Sequence, residues 1–182
     1  MDIAWKIVNV VATAALDQFV DLKSLVRLFP QIVIYDPATY PPPVPAYFKS
    51  KDMQGKVSIF SSGKMISVGT KSGEEAGQEL ILVANKLKTA KVAELKTEPK
   101  IQNIIATADL GFKPDIERLA ISREVKVIYE PEQFPGAIIR LTLSEKSKAT
   151  VLLFSSGKIV CVGLKDRKDV NGAIHRLLEI IS

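Results

Sequence analysis

A pentapeptide, Phe-Ser-Ser-Gly-Lys, occurs at residues 60–64 and again at 154–158, and the same spacing of 94 relates much of the remaining chain. It pairs Asn9 with Asn103, Tyr35 with Tyr129, Pro37 with Pro131, Gly69 with Gly163 and Lys71 with Lys165. Residues 6–88 laid on 100–182 without a gap give 24 identities in 83 pairs, where unrelated chains of average composition give about 5, at roughly 6% chance identity. The chain is a tandem repeat. Two copies are too few to stack as a solenoid, which needs three or more units, so they predict a pseudo-two-fold molecule matched to a partner with two-fold character of its own. The expected division is a first repeat over 1–88, a polar linker over 89–99 that ends in proline, and a second repeat over 100–182.

At 182 residues and 47% hydrophobic content the chain can bury a sizeable core. No apolar run has the length to cross a bilayer, and Asp2 with Lys6 interrupts any signal-peptide pattern, so a soluble intracellular protein without a membrane partner is expected. One cysteine, Cys161, and one histidine, His175, exclude an intramolecular disulfide and a structural zinc site, and no metal is predicted. The net charge of +5 and pI near 9.2 suit a polyanionic partner, the more so because Lys6 and Lys100, Lys64 and Lys158, and Lys71 and Lys165 recur at matched places. Signs of catalysis are thin. Gly63 and Gly157 lack the surroundings of a phosphate-binding loop, His175 has no evident partner, and Glu130 with Glu132 is matched only by Asp36 with Ala38. The chain reads as no enzyme, with no catalytic residue, cofactor or small-molecule substrate.

Within each copy the pattern predicts strand, short helix, several strands and a longer helix. Lys6 to Ala14 and Lys100 to Ala108 are apolar and rich in β-branched residues, as in buried strands. Asp21 to Phe29 and Asp115 to Ser122 open on an acidic residue suited to a helix N-terminus. Ile32 to Tyr35 and Val127 to Tyr129 each lead to an acidic residue and a proline turn. Val57 to Phe60 and Val151 to Phe154 run into Ser-Ser-Gly-Lys and return over Met65 to Val68 and Ile159 to Val162, two hairpins turned at glycine. Glu74 to Lys88 and Asp166 to Ile181 close the copies as helices, the latter with Ile174, Leu177, Leu178 and Ile181 as its apolar stripe.

The asparagine in each first strand, the segment Tyr-Glu-Pro-Glu-Gln-Phe-Pro-Gly at residues 129–136, and the paired hairpins followed by glycine and lysine resemble the TATA-box-binding protein family, most closely its archaeal form. The resemblance covers nearly the whole chain. It implies an α+β fold, a pseudo-two-fold saddle of two repeats: a curved ten-stranded antiparallel sheet with helices on the convex face. The concave face of such a saddle lies on the minor groove of double-stranded, A/T-rich promoter DNA, and two aromatic residues per repeat wedge between base steps. TATA-binding proteins are themselves the reference case of this mode of bending. The resemblance also implies recruitment of transcription factor B, RNA polymerase as an indirect partner, and a place at the archaeal nucleoid, or in the nucleus if the source is eukaryotic.

Carried onto this chain, the wedges match Tyr40 and Phe60 in the first repeat and Phe134 and Phe154 in the second. Asn9 and Asn103 match the asparagines that donate to adenine N3 or thymine O2, acceptors shared by both orientations of an A·T pair. Val11, Ile66, Ile105, Leu152 and Val160 match apolar positions on the groove floor. Lys64, Lys71, Arg140, Lys158 and Lys165 fit phosphate contacts, which set register and affinity without reading sequence. Glu130, Glu132 and Gln133 match the loop that touches transcription factor B.

The chain departs from the family pattern in places. Val68 and Val162 stand where threonine is common, and Tyr40 stands for a phenylalanine. Prolines at 41, 42, 43 and 45 cannot sit inside a fully paired strand, so an edge or loop is expected there. On the ungapped repeat Ala46 falls at Arg140 and Ser58 at Leu152, which suggests a weaker grip by the first half. Two further readings follow: a divergent, partner-dependent or regulatory DNA-binding paralogue, and an interaction module that has lost DNA binding.

Overall fold

The computed structural model describes residues 3–39, 41–121, 125–145 and 147–181. Ten strands, β1 to β10, form one sheet in the order β2-β3-β4-β5-β1-β6-β10-β9-β8-β7, and four helices complete the α+β fold. The chain divides into two compact units, Asn9–Gln102 and Met1–Val8 with Asn103–Ser182.

In the unit Asn9–Gln102, most of β1 (Trp5–Leu16) pairs antiparallel with β5 (Lys64–Thr70), β5 with β4 (Lys56–Ile59), β4 with β3 (Ala46–Phe48), and β3 with β2 (Val33–Ile34). Alternation is plain: Ala12, Ala14 and Leu16 are buried and Val11, Thr13 and Ala15 half-buried, the period-two signature of a sheet covered on one face. The cover is α2 (Gly73–Thr89), whose Ala76, Leu80, Val83, Ala84 and Leu87 are buried; each fully buried leucine or valine contributes about 1.5–3 kcal/mol. The Ser72 side chain caps α2 by accepting from Glu75 N, and the Glu75 carboxylate reaches back to Lys71 N, both at 3.1 Å. The shorter α1 (Leu22–Leu28) is capped by Asp21.

In the other unit, β10 (Lys158–Leu164) lies between β6 (Leu95–Asp109) and β9 (Lys148–Phe154), followed outward by β8 (Gly136–Thr142) and β7 (Val127–Ile128). The strand β6 begins at Leu95, within the polar stretch expected as linker. The helix α3 (Ile116–Ile121) starts beside Asp115, which accepts from Arg118 N at 2.9 Å. The helix α4 (Lys168–Ile181) buries Val170, Ala173, Ile174 and Leu177. Its apolar stripe is therefore rotated from the expected one, because Leu178 and Ile181 are only half-buried.

The strand registers correct one inference drawn from the ungapped repeat. In β3 and β4, Ala46 faces Ile59, Tyr47 faces Ser58 and Phe48 faces Val57. In β8 and β9, Ala137 faces Leu153, Ile138 faces Leu152 and Ile139 faces Val151. Ser58 does stand at Leu152, but Ala46 stands at Ala137, not at Arg140, whose register counterpart is Lys49. The first repeat carries three extra residues before β3, as Tyr35 to Ala46 against Tyr129 to Ala137 shows. It has three fewer in the following hairpin, Phe48 to Val57 against Ile139 to Val151. The two differences cancel, so an ungapped comparison runs through them unbroken. The prolines at 41, 42, 43 and 45 lie outside any strand, as their missing N–H groups require.

Candidate nucleic-acid interface

Each asparagine is set by a bulged glycine. Between the pairs Val10↔Thr70 and Val11↔Val68 the ladder shifts, and Gly69, at φ +98°, is left out of it. A bulge frees a backbone N–H from the ladder, and Gly69 N donates instead to Asn9 Oδ1 at 2.8 Å. The second repeat repeats this: the ladder shifts between Cys161 and Leu164, Gly163 has φ +85°, and its N–H donates to Asn103 Oδ1 at 2.8 Å. Since a backbone N–H can only donate, the amide oxygen is fixed there and each Nδ2 keeps its two N–H groups for another acceptor. Both side chains are half-buried.

Residues directly opposite on paired strands share a face, and the registers define the face away from the longer helices. In the first unit one row runs Thr13, Ile66, Ser58, Tyr47, and a neighbouring one Val11, Val68, Lys56. In the other unit the rows are Thr107, Val160, Leu152, Ile138 and Val162, Thr150, Arg140. Ile105 joins the second surface by alternation with Thr107. The predicted floor residues Val11, Ile66, Ile105, Leu152 and Val160, and with them Val68 and Val162, are thus all half-buried and grouped within their own units. Each surface combines apolar residues with hydroxyls (Thr13, Ser58 and Tyr47 in one unit, Thr107 and Thr150 in the other) and ends on a cation, Lys56 or Arg140.

The hairpins hold Phe60 and Phe154 just before their turns. Phe60 N donates to Lys64 O and Gly63 N to Phe60 O, each at 2.9 Å, with Gly63 at φ +83°; this is a turn closed by a left-handed residue. Gly157, at φ +89°, allows no side chain, since a Cβ there would lie 2.1 Å from Phe112 O. Phe134 and Phe154 meet edge to face at 5.7 Å between centroids, a favoured aromatic geometry. They close over Gly136, where a Cβ would come within 2.9 Å of Phe134 Cε1 and 3.1 Å of Phe154 Cε1. Tyr40, the expected partner of Phe60, lies outside the described residues.

The cations Lys64, Lys71, Arg140, Lys158 and Lys165 are exposed, and none forms an ion pair among the described residues. Lys49, the register counterpart of Arg140, is held elsewhere: its Nζ donates to the carbonyls of Met53, Gln54 and Gly55 at 2.6–2.7 Å. Glu130, Glu132 and Gln133 are exposed at a turn in which Gln133 N and Phe134 N both donate to Glu130 O at 2.9 Å.

Several residues on these surfaces escaped the sequence reading. Lys56 stands over the Tyr47 ring at 4.3 Å from its centroid, placing a cation on the first unit's open face. Thr13 and Thr107 sit one alternation step beyond the predicted apolar positions, and their identity across the repeat was the available signal. Trp5 lines a cavity of about 820 Å³ with Thr107, Phe154 and Lys158. Its indole N–H donates to Asn171 Oδ1 and its ring lies 5.4 Å from the Arg167 guanidinium. Nothing repeats Trp5, since Pro99 stands at its place.

The family model described as transcription factor TFIID, or TATA-binding protein, matches residues 4–90 and 98–182. Over 177 residues the chain is 37% identical to the TATA-box-binding protein of Methanocaldococcus jannaschii, covering 97% of this chain and 92% of that one. Over 179 residues it is 36% identical to TATA-box-binding protein 2 of Haloferax volcanii, with the same coverage. The solved structure of Methanococcus jannaschii TBP aligns with a TM-score of 0.78 at 36% identity, covering 97% of each chain. The repeated asparagine–glycine bulges and hairpins therefore sit in a chain that belongs to the TATA-binding-protein family.

Proposed function

We propose that this protein is a general transcription initiation factor that binds A/T-rich promoter DNA in the minor groove, bends it, and recruits transcription factor B, which in turn places RNA polymerase. The carrying observation is the pair of amides whose oxygens accept from Gly69 N and Gly163 N. Each leaves only donors free, and donors are what the acceptor-only minor-groove edge of an A·T pair requires. The apolar side chains nearest each asparagine, Val11 and Val68 in one unit and Ile105 and Val162 in the other, support the same reading, because they offer the guanine amino group no acceptor. The edge-to-face pair Phe134 and Phe154 supports bending: apolar side chains inserted between base steps offset part of the lost stacking. Exposed Lys64, Lys71, Arg140, Lys158 and Lys165 are free to meet phosphates, and the turn bearing Glu130, Glu132 and Gln133 is free to meet a protein.

A second reading, a paralogue that holds DNA only with its partner, is favoured by the lengthened, proline-rich segment before β3. One experiment separates the two: electrophoretic and bending assays on a TATA duplex and a G·C-substituted control, with and without transcription factor B. Selective bent complexes from the protein alone support the first reading, with log K falling against log salt at a slope of about −5 if about six phosphates are neutralised. Complexes only with the partner support the second. No selective complex in either case removes DNA binding from the proposal.

A further inference from the structure

Resting on that DNA-binding reading, we propose that Lys6 and Lys100 are further phosphate-binding residues, each carried by the first strand of one repeat into the unit of the other, and that Trp5 clamps the strand bearing Lys6. The two compact units exchange these strand ends: Met1–Val8 belongs with Asn103–Ser182, and the stretch up to Gln102 belongs with Asn9. Each asparagine is therefore the first residue of its own unit, and the residues just before it belong to the other.

In a strand, successive side chains point to opposite faces. In β6, Gln102 Nε2 donates to the Thr13 hydroxyl at 2.8 Å, on the face away from the longer helices. Its neighbour Ile101 crowds Gly73 of α2, and a Cβ on Gly77 would lie 3.7 Å from Pro99. Lys100, between Pro99 and Ile101, thus shares the face of Thr13. In β1, Trp5 takes the place of Pro99 and turns to α4, where its indole N–H donates to Asn171 Oδ1, the residue that stands for Gly77. Arg167 lies over the same ring. Lys6 turns the other way, to the cavity it lines with Phe154, Ser155, Ser156 and Lys158. That cavity gathers two ammonium groups and two hydroxyls beside a wedge residue, a donor set suited to phosphate oxygens. Asp109, the carboxylate among its lining residues, accepts from Gly111 N at 3.0 Å. Lys6 and Lys100 are both exposed, and neither forms an ion pair among the described residues.

The test is phosphate ethylation interference on a TATA duplex, with the salt dependence of binding read in parallel. Lys6→Gln should lose interference at the end of the duplex where Lys158→Gln loses it, and Lys100→Gln at the end where Lys64→Gln does. Each should make the slope of log K against log salt shallower by about one, and Lys6→Arg should restore it. Trp5→Leu should weaken binding in the wild-type background and add nothing to Lys6→Gln, as expected of a residue that acts through Lys6. A further loss on top of Lys6→Gln overturns the clamp. Unchanged slopes, or a Lys6→Gln loss at the Lys64 end, overturn the exchange and leave DNA binding standing. A wild-type protein that gives no interference pattern overturns the DNA reading, and the inference with it.

Discussion

Under α2 the first repeat buries Gly55, Ser67 and Glu79, and at the same three places under α4 the second repeat buries Ala149, Cys161 and Ala173. The first set is a polar cluster. Glu79 Oε1 accepts from Gly55 N at 2.8 Å and Oε2 from the Ser67 hydroxyl at 3.5 Å, and Gly55 is required because a Cβ would fall 2.8 Å from that carboxylate and 2.4 Å from Val68 O. The second set is apolar and needs no such partners. Yet the opposite faces keep the same asparagine, glycine bulge and hairpin in both copies. Two different cores hold one surface pattern, which locates the constraint in the surface. A buried polar cluster and a packed apolar one are interchangeable solutions so long as every polar group is satisfied.

The largest expected effect tests whether the shared surface is used by both halves. Phe134→Ala with Phe154→Ala removes two stacking surfaces, each worth about 1–3 kcal/mol, so DNA affinity should fall by about a thousandfold and the bend should collapse at that end. Phe60→Ala should cost about tenfold. A loss from Phe60→Ala as large as that of the second-repeat pair, in titrations of labelled duplex, would mean that the first half grips DNA no less firmly than the second.

Next comes the core. Glu79→Ala strands Gly55 N–H and the Ser67 hydroxyl in a buried site, and should lower unfolding free energy by about 3 kcal/mol in denaturant titrations. Ala173→Gly, at the matching place, should cost only about 1 kcal/mol, the helix propensity of glycine. Similar shifts in midpoint would mean that Glu79 is no more than a spacer.

How much of this the sequence disclosed follows from where the signals lie. The repeat, the two hairpins and the order of strands and helices were legible because periodicity and turn residues act locally. The shift of Arg140 from Ala46 to Lys49 was hidden, since it depends on which strand residues face one another, and two length differences of opposite sign cancel across it. One warning was present: between Pro41 and Val57 only Ser50 matches its partner across the spacing of 94. The role of Gly69 and Gly163 was half legible. A glycine inside a strand signals a bulge, but its bond to an asparagine with four elements intervening, as in the first repeat, is a tertiary fact. Trp5 left no such signal because Pro99 stands at its place in the second repeat.

A subtler change separates the two duties of the asparagines. Asn103→Asp keeps an oxygen to accept from Gly163 N but loses the donor and adds a negative charge facing the groove. Stability should move little, while DNA affinity falls by about thirtyfold, near 2 kcal/mol. Asn9→Asp should do the same in the first repeat. If binding survives the change in either half, that amide is a strut for its bulge and the half does not read the groove.

The last effect is absent at neutral pH, appears only at high pH and belongs to one repeat alone. Burial pushes the Cys161 thiol up from 9.0 to about 11, whereas Ser67, its counterpart, does not titrate. In the folded protein the thiol stays neutral while the unfolded chain ionises, so the contribution is fully present below pH 9 and is lost as pH rises towards 11. Two pH units correspond to at most about 2.7 kcal/mol. The difference in unfolding free energy between wild type and Cys161→Ala should therefore be constant up to pH 9 and narrow between pH 9 and 11, as followed by denaturant titration in matched buffers. A gap that stays constant to pH 11 would mean the thiol reaches water, and the second repeat's core would then be less closed than its alanines and leucines make it.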